Sequence, residues 1–329
     1  LLMLCFGWSF FLNGCGGTLP KPDDRLQVVC TIFPEYDWAR QLTQGVDNVD
    51  LTLLVKNGTD LHSYQPSVRD IAMIARADVF CYVGGVSDTW VNDVLDTTEN
   101  RTAQLVSMAE AADADEEVLA EGMQAEHEHE HEHEHEHDHH DDESDSHEEP
   151  PELDEHVWLS LRRAALACTA MKEALCKADP AHEDIYNQNC TDYLQKLQEL
   201  DSDFTEMTSQ AARDTIVVAD RFPFRYLAED YGLTYYAAFP GCSAETEASF
   251  ETIVFLSEKV ESLHLPCVLV TEGSNSSLAK TILENAGSDG KILTLQSLQA
   301  VSQKEIDTGV TYLSKMQENY DVLKQALNS

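Results

Sequence analysis

The chain is 329 residues long and 43% apolar, with 21 basic against 60 acidic residues and a formal charge of −39. That length buries more core than one small domain needs and points to a bilobed chain; the charge repels nucleic acid and anionic lipid and draws in cations. The excess is concentrated, since residues 110–155 hold 22 Asp or Glu and no Lys or Arg. Such a stretch has too little apolar surface to offset its ordering entropy, so 110–152 reads as a disordered acidic loop.

In chain order, the apolar run from Leu1 to Leu12 is too short to span a bilayer. It reads as the core of a signal peptide over 1–14 that is incomplete at its start. Leu12-Asn13-Gly14-Cys15 resembles a bacterial lipobox, which makes Cys15 the expected lipidated residue and 15–25 a polar tether to the membrane. Residues 26–178 read as an N-terminal α/β lobe: LQVVCTIFP is a buried strand, Tyr36 to Gln44 a helix, and VDLTLLV a second strand. Ser67 is the expected N-cap of the helix in VRDIAMIARA, and DVFCYVGG is a further strand closed by glycines. A helix is expected from Leu159 to Lys177.

Residues 179–212 then read as a linking helix whose run of about 30 residues, at 1.5 Å each, reaches roughly 45–50 Å and could span two lobes. Over 213–329, strands TIVVAD, LTYYAAF, PCVLVTEG and KILTLQ alternate with helical stretches at Pro223–Tyr231, Phe250–Leu263, Leu278–Ala286 and Gly309–Leu327. The fold class is α/β, with two such lobes. Besides Cys5 and Cys15 there are seven cysteines, an odd number without a C-x-x-C pair. Most lie in apolar runs, where Cys acts as a small buried hydrophobe.

Three stretches carry chemistry. From Glu126 to His147, carboxylates alternate with His127, His129, His131, His133, His135, His137, His139, His140 and His147. Imidazole and carboxylate both bind zinc, copper and nickel, and alternation every second residue does not gather ligands on one helical face. The tract therefore reads as many modest, interchangeable metal sites. His62, in Asp60-Leu61-His62-Ser63-Tyr64-Gln65-Pro66-Ser67, follows a strand where ligands gather in α/β lobes. His156, in Asp154-Glu155-His156-Val157-Trp158-Leu159, stands beside carboxylates able to orient its second ring nitrogen. Each histidine is weak evidence by itself.

Together, H-x-Y-x-P-S about 90 residues ahead of D-x-H-x-W-L, with the His-rich insertion between, resembles the zinc and manganese substrate-binding lipoproteins of ABC transporters (ZnuA/TroA-like, cluster A-I). VVCTIFP, ADVFCYVGG, YLAEDYGL and PGCSAETEAS match the same family, and the resemblance runs from about Leu26 to the C-terminus. It implies two α/β lobes joined by one long helix, a metal in the cleft between them, and His62 and His156 as ligands from the N-terminal lobe. It also implies a monomer that catalyses nothing and delivers its ion to a permease and its ATPase.

The C-terminal lobe departs from the family. Arg221 stands at or beside the position of the usual third ligand and cannot bind a cation. The carboxylate expected near the last strand has no clear counterpart in Leu295-Gln296-Ser297-Leu298-Gln299. Asp220 and Glu272, each ending a strand, are the candidate substitutes. For Asp220 the structural alternative is a salt bridge with Arg221, and for Glu272 a hydrogen bond to the following loop. Imidazole ligands favour zinc over manganese, which prefers oxygen-rich octahedral sites. The competing enzyme reading, a secreted zinc-dependent hydrolase, lacks H-E-x-x-H or a comparable motif. A surface metal buffer or adhesin acting without a transporter remains open.

Overall fold

The computed structural model describes residues 25–56, 58–59, 61–98, 102–123, 153–243 and 247–329. Cys15 and the tract from Glu126 to His147 lie outside them. The first lobe is built on β1 (Leu26–Cys30), β2 (Val49–Leu53), β3 (Val79–Tyr82) and β4 (Gln104–Ser107), all parallel, in the order β2-β1-β3-β4. The second lobe repeats the plan with β5 (Thr215–Phe222), β6 (Thr234–Pro240), β7 (Cys267–Thr271) and β8 (Lys291–Leu295), in the order β6-β5-β7-β8. Parallel strands need helical crossovers that cover both faces of a sheet, which is why β1, β3, β5 and β7 read as nearly continuous apolar runs.

The helix predicted in VRDIAMIARA runs over Val68–Ile74. Ser67 caps it by accepting from the Asp70 amide while the Asp70 carboxylate accepts from the Ser67 amide. This reciprocal box satisfies two donors that the first turn would otherwise leave unpaired.

The long helix covers Glu183–Ser209, 27 residues or about 40 Å, after a 3-10 turn that Pro180 opens. Its buried positions Tyr186, Cys190, Tyr193, Leu197, Leu200, Phe204 and Met207 alternate steps of four and three, so they form one stripe. That stripe lies against the Phe33–Leu42 and Leu161–Ala178 helices of the first lobe and the Tyr312–Asn328 helix of the second. One helix thus serves both cores.

The lobes are also tied by polar contacts around the segment carrying His156. Tyr226 donates its hydroxyl to the Asp154 carbonyl at 2.7 Å, Trp158 donates its indole N–H to the Ser297 carbonyl at 2.8 Å, and Tyr312 donates to the Trp158 carbonyl at 2.6 Å. At the outer edge the Tyr312 amide donates to the buried Asp37 carboxylate at 2.7 Å.

The acidic stretch differs from its expected extent at one end. Residues 110–123 are placed rather than merely solvated: a short helix over Met108–Ala111 leads to a bridge between Glu116 and Leu153. The reason is a set of arginine contacts from far along the chain, mostly to backbone carbonyls. Arg163 donates to the Ala112 and Asp113 carbonyls and pairs with the Asp115 carboxylate, and Arg225 donates to the Glu116 carbonyl.

Candidate metal centre

His62, Ser87 and Cys242 follow the C-terminal ends of parallel strands, where crossovers leave a crevice. His62 sits in the 3-10 turn Leu61–Ser63 after β2. Ser87 follows β3 by way of Gly84 and Gly85. His156 caps the 3-10 turn Val157–Leu159. Cys242 follows β6 of the second lobe after Gly241. Ligand-capable atoms of His62, Glu155, His156 and Cys242 all lie within 4.8 Å of one another.

The two imidazoles are oriented by different partners. Asp154 Oδ1 lies 2.9 Å from His156 Nδ1 and also accepts from the His156 amide. A carboxylate partner fixes the proton on Nδ1 and leaves Nε2 as the lone-pair nitrogen; that Nε2 is fully buried and has no hydrogen-bond partner among the described residues. For His62 the partner is a relay. Ser87 Oγ lies 2.6 Å from His62 Nδ1 and donates its own proton to the Glu155 carboxylate, so it can accept from Nδ1–H. The Ser87 amide donates to the other Glu155 oxygen at 3.0 Å. Both rings therefore keep Nε2 as the lone-pair nitrogen, with centroids 5.7 Å apart.

Two glycines permit the approach. A side chain at Gly85 would collide with the Glu155 carboxylate, and a Cβ at Gly241 would stand 2.9 Å from His156 Cε1.

The electrostatics suit a cation. Burial raises the Glu155 carboxyl above its ordinary range, with the His156 charge pulling the other way. Glu117, which accepts from the Cys242 amide, is raised by burial and by Asp154. Behind them, burial and the Glu155 charge push Asp88 up to about 7, and burial pushes Glu35 up to about 8. Burial lowers the proton affinity of His156, but the hydrogen bond and charge of Asp154 outweigh it and the net shift is upward. This is a pocket of acids short of positive charge.

Asp220 and Glu272 are not brought into the His62–His156 group. Asp220 accepts from the Thr271 hydroxyl at 2.8 Å and the Arg221 amide at 2.9 Å, and Glu272 accepts from the Ser297 amide and hydroxyl, both at 2.6 Å. Each carboxylate is held by donors at its own sheet end. With Arg221, Gly241 and Gln299 they line an adjoining cavity of about 370 Å³.

Sequence reasoning missed Ser87, whose position opposite His62 arises only when β2 and β3 flank β1. It assigned the orienting role to the carboxylates beside His156, and Asp154 fills it, but Glu155 turns to Ser87 instead. The sequence reading gives Cys242 no role; it stands in a turn after a strand, unlike buried Cys30, Cys81, Cys168, Cys190 and Cys267.

Comparison with known proteins places this geometry. Residues 28–326 match the family model described as zinc-uptake complex component A, periplasmic. The zinc-binding lipoprotein AdcA of Streptococcus pneumoniae strain R6 is 31% identical over 98% of this chain, which spans 60% of AdcA. The high-affinity zinc uptake system protein ZnuA of Bacillus subtilis is 30% identical, over 99% of this chain and 96% of that protein. The Zn(II)-bound ZnuA-like domain of S. pneumoniae AdcA superposes with a TM-score of 0.70 at 27% identity, covering 93% of this chain and all of that one. The metal-dependent lipoprotein YcdH of B. subtilis gives 0.72 at 25% identity, covering 92% of this chain and all of that one. The chain belongs to the zinc-uptake complex component A family of solute-binding proteins, with two α/β lobes and one long linking helix.

Proposed function

We propose that this chain captures Zn(II) outside the cytoplasm and delivers it to the permease of an ABC transporter, binding and releasing the ion without catalysis. His62 and His156 hold the metal at the first lobe. The observation that carries this reading is the pair of Nε2 lone pairs turned into one buried pocket, each fixed by a partner on Nδ1. Names of relatives on either side of the comparison, a zinc-binding lipoprotein and a zinc uptake protein, agree with it. In this reading Cys15 carries the lipid anchor, and the histidines from His127 to His147 form an auxiliary store that loads the cleft.

The test is zinc titration of the chain with residues 126–147 removed, beside its His62→Ala/His156→Ala version. We expect one tight equivalent in the first. In the second we expect affinity to fall by more than about a thousandfold, since losing even one outer partner of a metal ligand costs about 10–100-fold. Tight binding that survives the double substitution would overturn the reading.

A further inference from the structure

We propose that Cys242 supplies the second lobe's metal ligand, so that a thiolate meets His62 and His156 across the cleft and selects d10 cations such as zinc and cadmium over manganese. The proposal rests on the capture reading above and names its missing half. The other second-lobe donors are engaged elsewhere: Asp220 and Glu272 are held by Thr271, Arg221, and Ser297, and the Arg221 guanidinium has no lone pair to offer. Within the group of four, both Glu155 oxygens already accept from Ser87. This makes Glu155 the residue that positions His62, and the Cys242 sulfur is the donor that the second lobe brings to the group.

Two observations point at the sulfur. It lies within 4.8 Å of a ring nitrogen of each histidine, and His156 Nε2 is buried without a hydrogen-bond partner among the described residues. Binding as a thiolate exchanges the S–H proton for the metal. The proton leaves to solvent, and nothing is oxidised or reduced. Zinc bonds of about 2.0–2.1 Å to nitrogen and 2.3 Å to sulfur set tetrahedral ligand separations near 3.3–3.7 Å. With the candidate atoms all within 4.8 Å of one another, an approach of at most about 1.5 Å reaches those separations, and the sulfur is the group that makes closure depend on the metal. Thiolate binds zinc-like ions well, whereas manganese prefers oxygen donors.

The test uses the full chain with one equivalent of Co(II) as probe. We expect an intense near-ultraviolet sulfur-to-cobalt charge-transfer band, absent in Cys242→Ser and in His62→Ala/His156→Ala, with zinc affinity of Cys242→Ser reduced about 100-fold or more. A second measurement needs no variant. Cys242 and Cys176 are the two part-exposed cysteines among the described residues, and zinc should protect Cys242 from iodoacetamide while leaving Cys176 to react. A histidine-dependent zinc site with no sulfur band and no protection of Cys242 would overturn this proposal and leave the capture reading standing. A tight site indifferent to both histidines would overturn the capture reading itself.

Discussion

The two halves of the cleft are built to different standards. On the first lobe each imidazole has a dedicated partner, Asp154 for His156 and Ser87 backed by Glu155 for His62, and the segment between them is pinned to Tyr226, Ser297 and Tyr312. On the second lobe the carboxylates at the strand ends satisfy their own sheet, and among the described residues Cys242 alone joins the candidate group. The difference teaches where the energy of capture resides. Pre-oriented ligands lose little freedom when metal binds, so the first lobe would set affinity, while the second would report that the ion has arrived.

The sharpest way to break that contrast is to leave the ligands and remove their supports. Asp154→Ala and Ser87→Ala should each weaken zinc binding about 10–100-fold, the range for lost outer partners of metal-bound histidine, with metal-free melting changed far less. Equilibrium titration decides it. If both substitutions leave affinity unchanged, the first lobe is not preorganised by these contacts and the comparison fails.

How much of this could be read from residues alone follows the same divide between local and distant contacts. The strands at Leu26–Cys30, Val79–Tyr82 and Cys267–Thr271 were legible because a sheet covered on both faces needs unbroken apolar runs. The Ser67 cap was legible because its partner is three residues away. The strand Gln104–Ser107 was not, since only Val106 of its four residues is buried. Nor was the order of residues 110–123, which depends on Arg163 and Arg225, the latter 109 residues beyond the carbonyl it meets. In the site, His62 and His156 stood out through their motifs. Ser87 is 25 residues from His62 and 68 from Glu155, a meeting that no spacing rule announces.

The first lobe's excess of buried acid gives a second contrast, visible in stability. Glu35 and Asp88 titrate in the folded chain near 8 and 7, against ordinary values of 4.5 and 3.8. Between those limits the folded state holds protons that the unfolded state has released, so unfolding free energy falls as pH rises. Metal-free protein should therefore melt several degrees higher at pH 5 than at pH 8. Glu35→Gln with Asp88→Asn should flatten that slope by an amount on the order of 2 kcal/mol per pH unit between about pH 5 and 8. Thermal melts across the range would show it, and an unchanged slope in the double variant would place the pH dependence elsewhere.

The smallest expected effect is also the most discriminating between the lobes. Asp220→Asn and Glu272→Gln keep shape and remove charge. Because both carboxylates accept from donors at their own sheet end, the substitutions should lower stability by about 1 kcal/mol each, the net worth of a typical hydrogen bond. They should change zinc affinity by no more than about twofold, because neither carboxylate enters the ligand group in the described structure. A loss of tenfold or more in either variant would mean that lobe closure draws a strand-end carboxylate onto the metal. Cys242 would then share the second-lobe role, and the adjoining cavity would be the open form of the site.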